Sequence, residues 1–250
     1  MTKKLLPILL LLVLPTFYVA CHTSYKAQSL QYKNYAISDS LQTDARLAAL
    51  IKPYGDSVRK SMSEVVGFAD KSLDKLPMES ELGNYMADAL WYMAKEKYQV
   101  PVDAAMVNYG GIRLNQLPAG AVTRGKIFEL MPFDNVLILQ KLKGSVLQQL
   151  LDLTASKGGW PLAGITMQIR AGKAVNVRIG GKPLDPDAVY TVANADFVAN
   201  GGDDAEMLRR VPQISNGYLV RDAFFDYIRL MKAQGKNMTA NLENRVTNAE

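Results

Sequence analysis

The stretch Glu81–Lys97, ELGNYMADALWYMAKEK, sets the frame for reading the rest of the chain. Its apolar residues Leu82, Tyr85, Met86, Ala89, Leu90 and Met93 fall at i, i+3, i+4, i+7, i+8 and i+11. That is the period of one helix face, not of a strand. Ser80 stands where an N-cap is needed, so the spacing predicts a helix over about 81–97. Val102–Val107 follows as an apolar run that reads as a buried strand, and it leads into Asn108-Tyr109-Gly110-Gly111.

Toward the C-terminus, Val136–Leu142 reads as a strand, followed by Gly144 and a helix to about Ser156. Ile165–Ile169 and Val175–Ile179 alternate like a hairpin pair around Gly172, and a Gly180-Gly181 turn leads to Pro183. Tyr190–Ala193 is a further strand. A helix over about 218–233 stacks Val220, Phe224, Tyr227 and Met231 on one side. Residues 241–250 are polar and are expected to fray. Toward the N-terminus, Glu64–Ala69 reads as a short strand. A helix from Asp44, its N-cap, to about Met62 precedes it, with a bend near Pro53. Helices and strands mix without strict alternation, which favours α+β over a doubly wound parallel sheet.

The first twenty residues read as a secretory leader. Lys3 and Lys4 form a positive start, and Leu5–Ala20 is apolar but short for a bilayer span, which takes about 20 residues. Cys21, the sole cysteine, follows Ala20 at once and resembles a bacterial lipoprotein processing site. We therefore expect a lipidated Cys21 and a polar, Ser/Gln/Tyr-rich tether over 21–43, outside the cytoplasm on the periplasmic or cell-surface side. The folded domain is expected over 44–240.

The leader takes two lysines and no acid, which lowers the net charge of the chain from +5 to +3. Scattered charge of that size does not argue for a nucleic-acid groove. The one histidine, His22, falls in the tether, so neither a Ser-His-Asp system nor an imidazole zinc site can be assembled around a folded pocket. The 24 Asp and Glu show no calcium-loop spacing, and no phosphate-binding glycine loop occurs.

Three segments are unusual for a purely structural chain: Asn108–Arg113 (NYGGIR), Met131–Asn135 (MPFDN) and Asn194–Asp203 (NADFVANGGD). Each sits at a strand–loop junction. The glycine pair of the first can turn Asn108 and Arg113 toward one point, and arginine offers a planar fork for phosphate or carboxylate. Taken singly, Phe133 and Phe197 read as readily as core residues.

Taken in order, these runs resemble "NxGGIR", "LPFxN" and "FxANGGD" of the C-terminal, substrate-binding domain of the 5'-nucleotidase/UDP-sugar hydrolase family. Glu81–Asn84 and Gly181–Asp185 extend the likeness, which spans about residues 45–235. The resemblance implies an α+β domain with mixed sheets in α/β/β/α layers and a nucleoside platform. Phe133 and Phe197 would clamp the base, and Asp203 would accept ribose hydroxyls. Asn108 and Arg113 would face phosphate, and Asn135 the base edge. It also implies no cofactor on this chain, with divalent metals on a separate metallophosphatase partner.

Two departures stand out. Pro77–Leu82 lacks the arginine the family often carries there, a contact worth roughly 1.5–3 kcal/mol. Asp204 stands where the family usually has glycine. The functions left open are a substrate-binding subunit of an extracytoplasmic nucleotide hydrolase, a binding-only nucleoside lipoprotein, a surface protein with a degenerate pocket, and hydrolysis by carboxylates alone.

Overall fold

The computed structural model describes residues 29–36, 38 and 42–249; the leader, Cys21 and His22 lie outside them. Two compact units divide at residue 48, Met1–Ala48 and Ala49–Glu250. The described part of the first ends in the opening turn of helix α1 (Ala45–Met62), where the Asp44 carboxylate accepts from the Arg46 and Leu47 N–H groups at 2.9 and 3.0 Å.

The second unit is α+β. Its helices after α1 are α2 (Glu81–Tyr98), α3 (Arg124–Leu130), α4 (Gly144–Ser156), α5 (Asp196–Ala199) and α6 (Val220–Ala233). Its strands are β1 (Val65–Ala69), β2 (Leu73–Asp74), β3 (Ala104–Met106), β4 (Gln116–Leu117), β5 (Gly120–Thr123), β6 (Leu137–Lys143), β7 (Leu162–Ala163), β8 (Ile165–Arg170), β9 (Lys173–Ile179), β10 (Lys182–Pro183), β11 (Val189–Ala195), β12 (Gln213–Ile214) and β13 (Val246–Asn248). The central sheet has the order β12-β6-β11-β3-β7, and a second sheet the order β10-β9-β8-β13. Within the central sheet β11 runs parallel to β3 and antiparallel to β6.

Alternation along the central strands gives each face its own core. Ala105, Leu137, Leu139, Ala193 and Ala195 face one cluster with α2 and α6. Ala104, Met106, Leu142 and Val192 face the other, with Leu147, Leu150 and Leu151 of α4 and Ile165, Met167 and Val177 of the second sheet. Helix α2 is capped as its sequence implies, with Ser80 Oγ accepting from Gly83 N–H at 3.1 Å. More of it is buried than one stripe, because α6 packs on one side and the sheet on the other. Ala87 and Ala94 are closed off along with the apolar face.

The C-terminal segment departs from expectation. Residues 241–250 were expected to fray, yet Val246–Asn248 pair in parallel with Met167–Ile169 as strand β13. Buried Arg245 sends Nη1 and Nη2 to the two Asp88 oxygens at 2.7 and 2.8 Å, with Nη1 also donating to the Leu162 carbonyl at 2.8 Å. Asn84 Nδ2 donates to the Asn241 carbonyl at 2.8 Å. A polar run reads as frayed only while its partners, far off in the chain, are out of view.

Arg245→Met is expected to lower unfolding stability by about 2 kcal/mol, since Asp88 would lose a bidentate partner. A urea unfolding midpoint unchanged by the substitution would contradict this anchoring role.

Candidate functional site

Three loops meet at one end of the central sheet, and strand direction is the reason. The parallel strands β3 and β11 end there, and β6, antiparallel to β11, begins there. The turn Asn108–Arg113 after β3, the loop Met131–Asn135 before β6 and the segment Asp196–Ala205 after β11 therefore converge. Together they enclose a cleft of about 270 Å³ lined by Asn108, Gly110, Gly111, Arg113, Phe133, Asn135, Phe197 and Asp203. All six residues expected at a site from the sequence are in this lining. Phe133 and Phe197, which could have been core residues, are 38% and 44% exposed. A second cavity, of about 230 Å³ between β1 and α6, is lined mainly by apolar side chains such as Phe68, Ile228 and Met231 and has no carboxylate.

Asn108 is buried, and its Nδ2 donates to Asp203 Oδ2 at 2.7 Å. A Cβ on Gly111 would stand 2.7 Å from Asn108 Oδ1, so glycine there leaves room for that side chain. Phe197 depends on a similar approach. A Cβ on Gly202 would come within 2.6 Å of the Phe197 ring atoms Cε1 and Cζ, so the bare backbone seats the ring. Arg113 stands exposed over Phe133, its guanidinium carbon 5.7 Å from the ring centroid, and Nη1 donates to the Gly110 carbonyl at 3.4 Å. The cleft thus carries a guanidinium from one loop and a carboxylate from another, with two aromatic rings in the same lining.

Three further residues, not singled out from the sequence, shape the cleft. Asp196 joins two of its loops. Its Oδ1 accepts from Val136 N–H at 3.0 Å and from Phe197 N–H at 2.8 Å. Arg221 of α6, 7% exposed, donates Nη1 to the Phe133 carbonyl at 3.1 Å and pairs through Nη2 with Asp134. It thereby fixes the backbone that carries Phe133. Nothing local marks it, since it is one arginine beside the apolar stripe of α6. Lys75 lies beside Tyr109, with Nζ 3.9 Å from the ring centroid and donating to the Ile112 carbonyl at 2.8 Å. Burial, and then the neighbouring Arg113 charge, holds its pKa below the usual lysine value. Met78, in the stretch without the arginine, packs against the second core cluster instead.

Among the described residues, no group of three or more His, Cys, Asp or Glu is placed to hold a metal ion. The cleft offers one carboxylate beside an asparagine and an arginine, and this donor set does not fit a divalent cation. No helix among the described residues is long and apolar enough to cross a membrane.

Comparison with known proteins agrees with this architecture. The chain is 27% identical over 199 residues to protein UshA of Yersinia enterocolitica, covering 76% of this chain and 36% of that protein. It is also 27% identical over 202 residues to a 5'-nucleotidase of Vibrio cholerae, covering 76% of this chain and 35% of that one. It therefore spans about a third of the length of these relatives. Among solved structures, a 5'-nucleotidase precursor from Thermus thermophilus superposes with a TM-score of 0.70 at 28% identity, covering 82% of this chain and 43% of that one. Residues 65–210, more than half of the chain, match the family described as 5'-nucleotidase, C-terminal domain, and the chain belongs to that family.

Proposed function

We propose that this chain binds the nucleoside part of nucleotides or sugar nucleotides for a hydrolase of the 5'-nucleotidase type, clamping the base between Phe133 and Phe197. One observation carries the reading. Two half-exposed phenyl rings from loops far apart in sequence line one cleft with a single accepting carboxylate and a single guanidinium. Stacking on an aromatic face contributes about 1–3 kcal/mol per base and tolerates base identity. Asp203 supplies the acceptor for a vicinal diol and Asn135 meets the base edge, while Asn108, expected on the phosphate side, donates to Asp203 Oδ2 and in this reading orients it instead. Arg113 meets phosphate, with Lys75 as a second cation beside it.

In this reading the hydrolytic step belongs to a separate metal-bearing phosphatase chain, and this chain supplies binding and orientation. The pair works outside the cytoplasm in nucleotide breakdown, with this chain tethered by a lipid on Cys21. A degenerate-pocket reading, which predicts no nucleoside binding, has one observation in its favour: Met78 packs against the second core cluster in the stretch where the family often carries a phosphate-side arginine.

Calorimetry with adenosine tests the clamp. Phe133→Ala and Phe197→Ala are each expected to weaken binding about 5- to 150-fold, from the stacking energy above, and the double variant to abolish the signal. Wild-type affinity in both single variants would overturn it. Mixing the chain with its catalytic partner should raise 5'-nucleotide turnover; turnover that no metallophosphatase chain of the same organism gains would favour binding alone. Intact mass of the membrane-extracted protein should show a mature chain starting at a lipid-modified Cys21, and Cys21→Ser should release it. An unmodified thiol would remove the anchor.

A further inference from the structure

We infer that Lys157 is a positioning residue that clips Asp203 into the conformation a ligand meets; its effect on binding rests on the reading of Asp203 given above. Lys157 ends helix α4, its N–H bound to the Thr154 and Ala155 carbonyls. Gly158 and Gly159 follow at φ +85° and +94°, so the chain turns away at once. The lysine side chain reaches across to the cleft loop, where Nζ donates to the Asp203 carbonyl at 2.8 Å and to Asp204 Oδ2 at 2.7 Å.

That loop needs holding. Asp203 and Asp204 have φ of 53° and 67°, two successive non-glycine residues in the left-handed region, where the Cβ crowds the backbone. Such conformers persist when their surroundings over-determine them. Here one ammonium engages the backbone of the first residue and the carboxylate of the second. It also offsets repulsion between the two acids. Asn108 holds Asp203 Oδ2 from the other side, at 2.7 Å. Asp203 is gripped at its peptide and at one carboxylate oxygen, and Oδ1 is left as the acceptor for a ligand hydroxyl. Lys157 is not in the cleft lining, so it acts through Asp203 rather than by touching a ligand.

The test uses the full chain with Lys157→Met, and with Lys157→Met combined with Asp204→Gly, since glycine takes a positive φ without strain. Adenosine and 2',3'-dideoxyadenosine are titrated by calorimetry, and amide hydrogen exchange is followed over residues 201–205. Lys157→Met should weaken adenosine binding about tenfold, the scale of one hydrogen bond to a charged group. It should leave the dideoxy analogue unchanged and speed exchange over 201–205. The added Asp204→Gly should recover most of the adenosine affinity. A loss shared equally by both nucleosides, or no loss with unchanged exchange, overturns the proposal. If the wild-type chain binds neither nucleoside, the nucleoside reading fails on its own account and exchange decides the clip: faster exchange in Lys157→Met sustains it, and unchanged exchange sinks it.

Discussion

The antiparallel pairing of β6 with β11 is the constraint on which the cleft depends. Seven residue pairs, from Val189 opposite Lys143 to Ala195 opposite Leu137, set the register. That register brings Val136 and Asp196 side by side, and Asp196 N–H donates to the Val136 carbonyl at 2.9 Å. A slip of one residue would turn every side chain of a strand to the other face. Two fully buried polar side chains oppose it. Asn194 Nδ2 donates to Gln140 Oε1 at 3.3 Å, and Gln140 Nε2 donates to the Leu208 and Val211 carbonyls at 3.1 and 3.0 Å. Moved to the opposite face, both would be thrust unpaired into the apolar layer against α2 and α6, at about 1–3 kcal/mol for each unsatisfied group. The same network ties down the segment that follows Asp203, so strand register and loop position are set together.

The cleft is assembled in advance of any ligand. Phe197 is seated on Gly202, Asn108 is accommodated by Gly111, and the backbone of Phe133 is held from beneath by Arg221. Groups ordered during folding need not be ordered again on binding, which removes part of the entropic cost of association. The charges are segregated too. Asn108 and Asp203 meet from the ends of β3 and β11, while Arg113, with Lys75 beside it, forms a cationic side.

Much of this was legible in the chain itself, and the reasons differ by element. Helix α2 announces itself through period and cap, both local properties. The β8–β9 hairpin does so through alternation around Gly172. Six of the eight lining residues could be named as site residues because they lie in short runs at strand ends, where glycine and an aromatic side chain together are informative. The residues that hold them in place were not legible. Arg221 lies 88 residues from the carbonyl of Phe133 that it binds, and Asp88 lies 157 from Arg245. The end of the chain became a strand for the same reason, since its partners on β8 share no local pattern with it. Local periodicity reports which face a residue takes, while long-range hydrogen bonds depend on a topology the pattern does not contain.

The most direct test is a crystal structure of this chain with adenosine bound. The purine should lie between the Phe133 and Phe197 rings, with the ring centroids roughly 7 Å apart and the ribose hydroxyls on the Asp203 carboxylate. A nucleoside found elsewhere on the chain, or seated in the cleft without either ring against its base, would contradict the account.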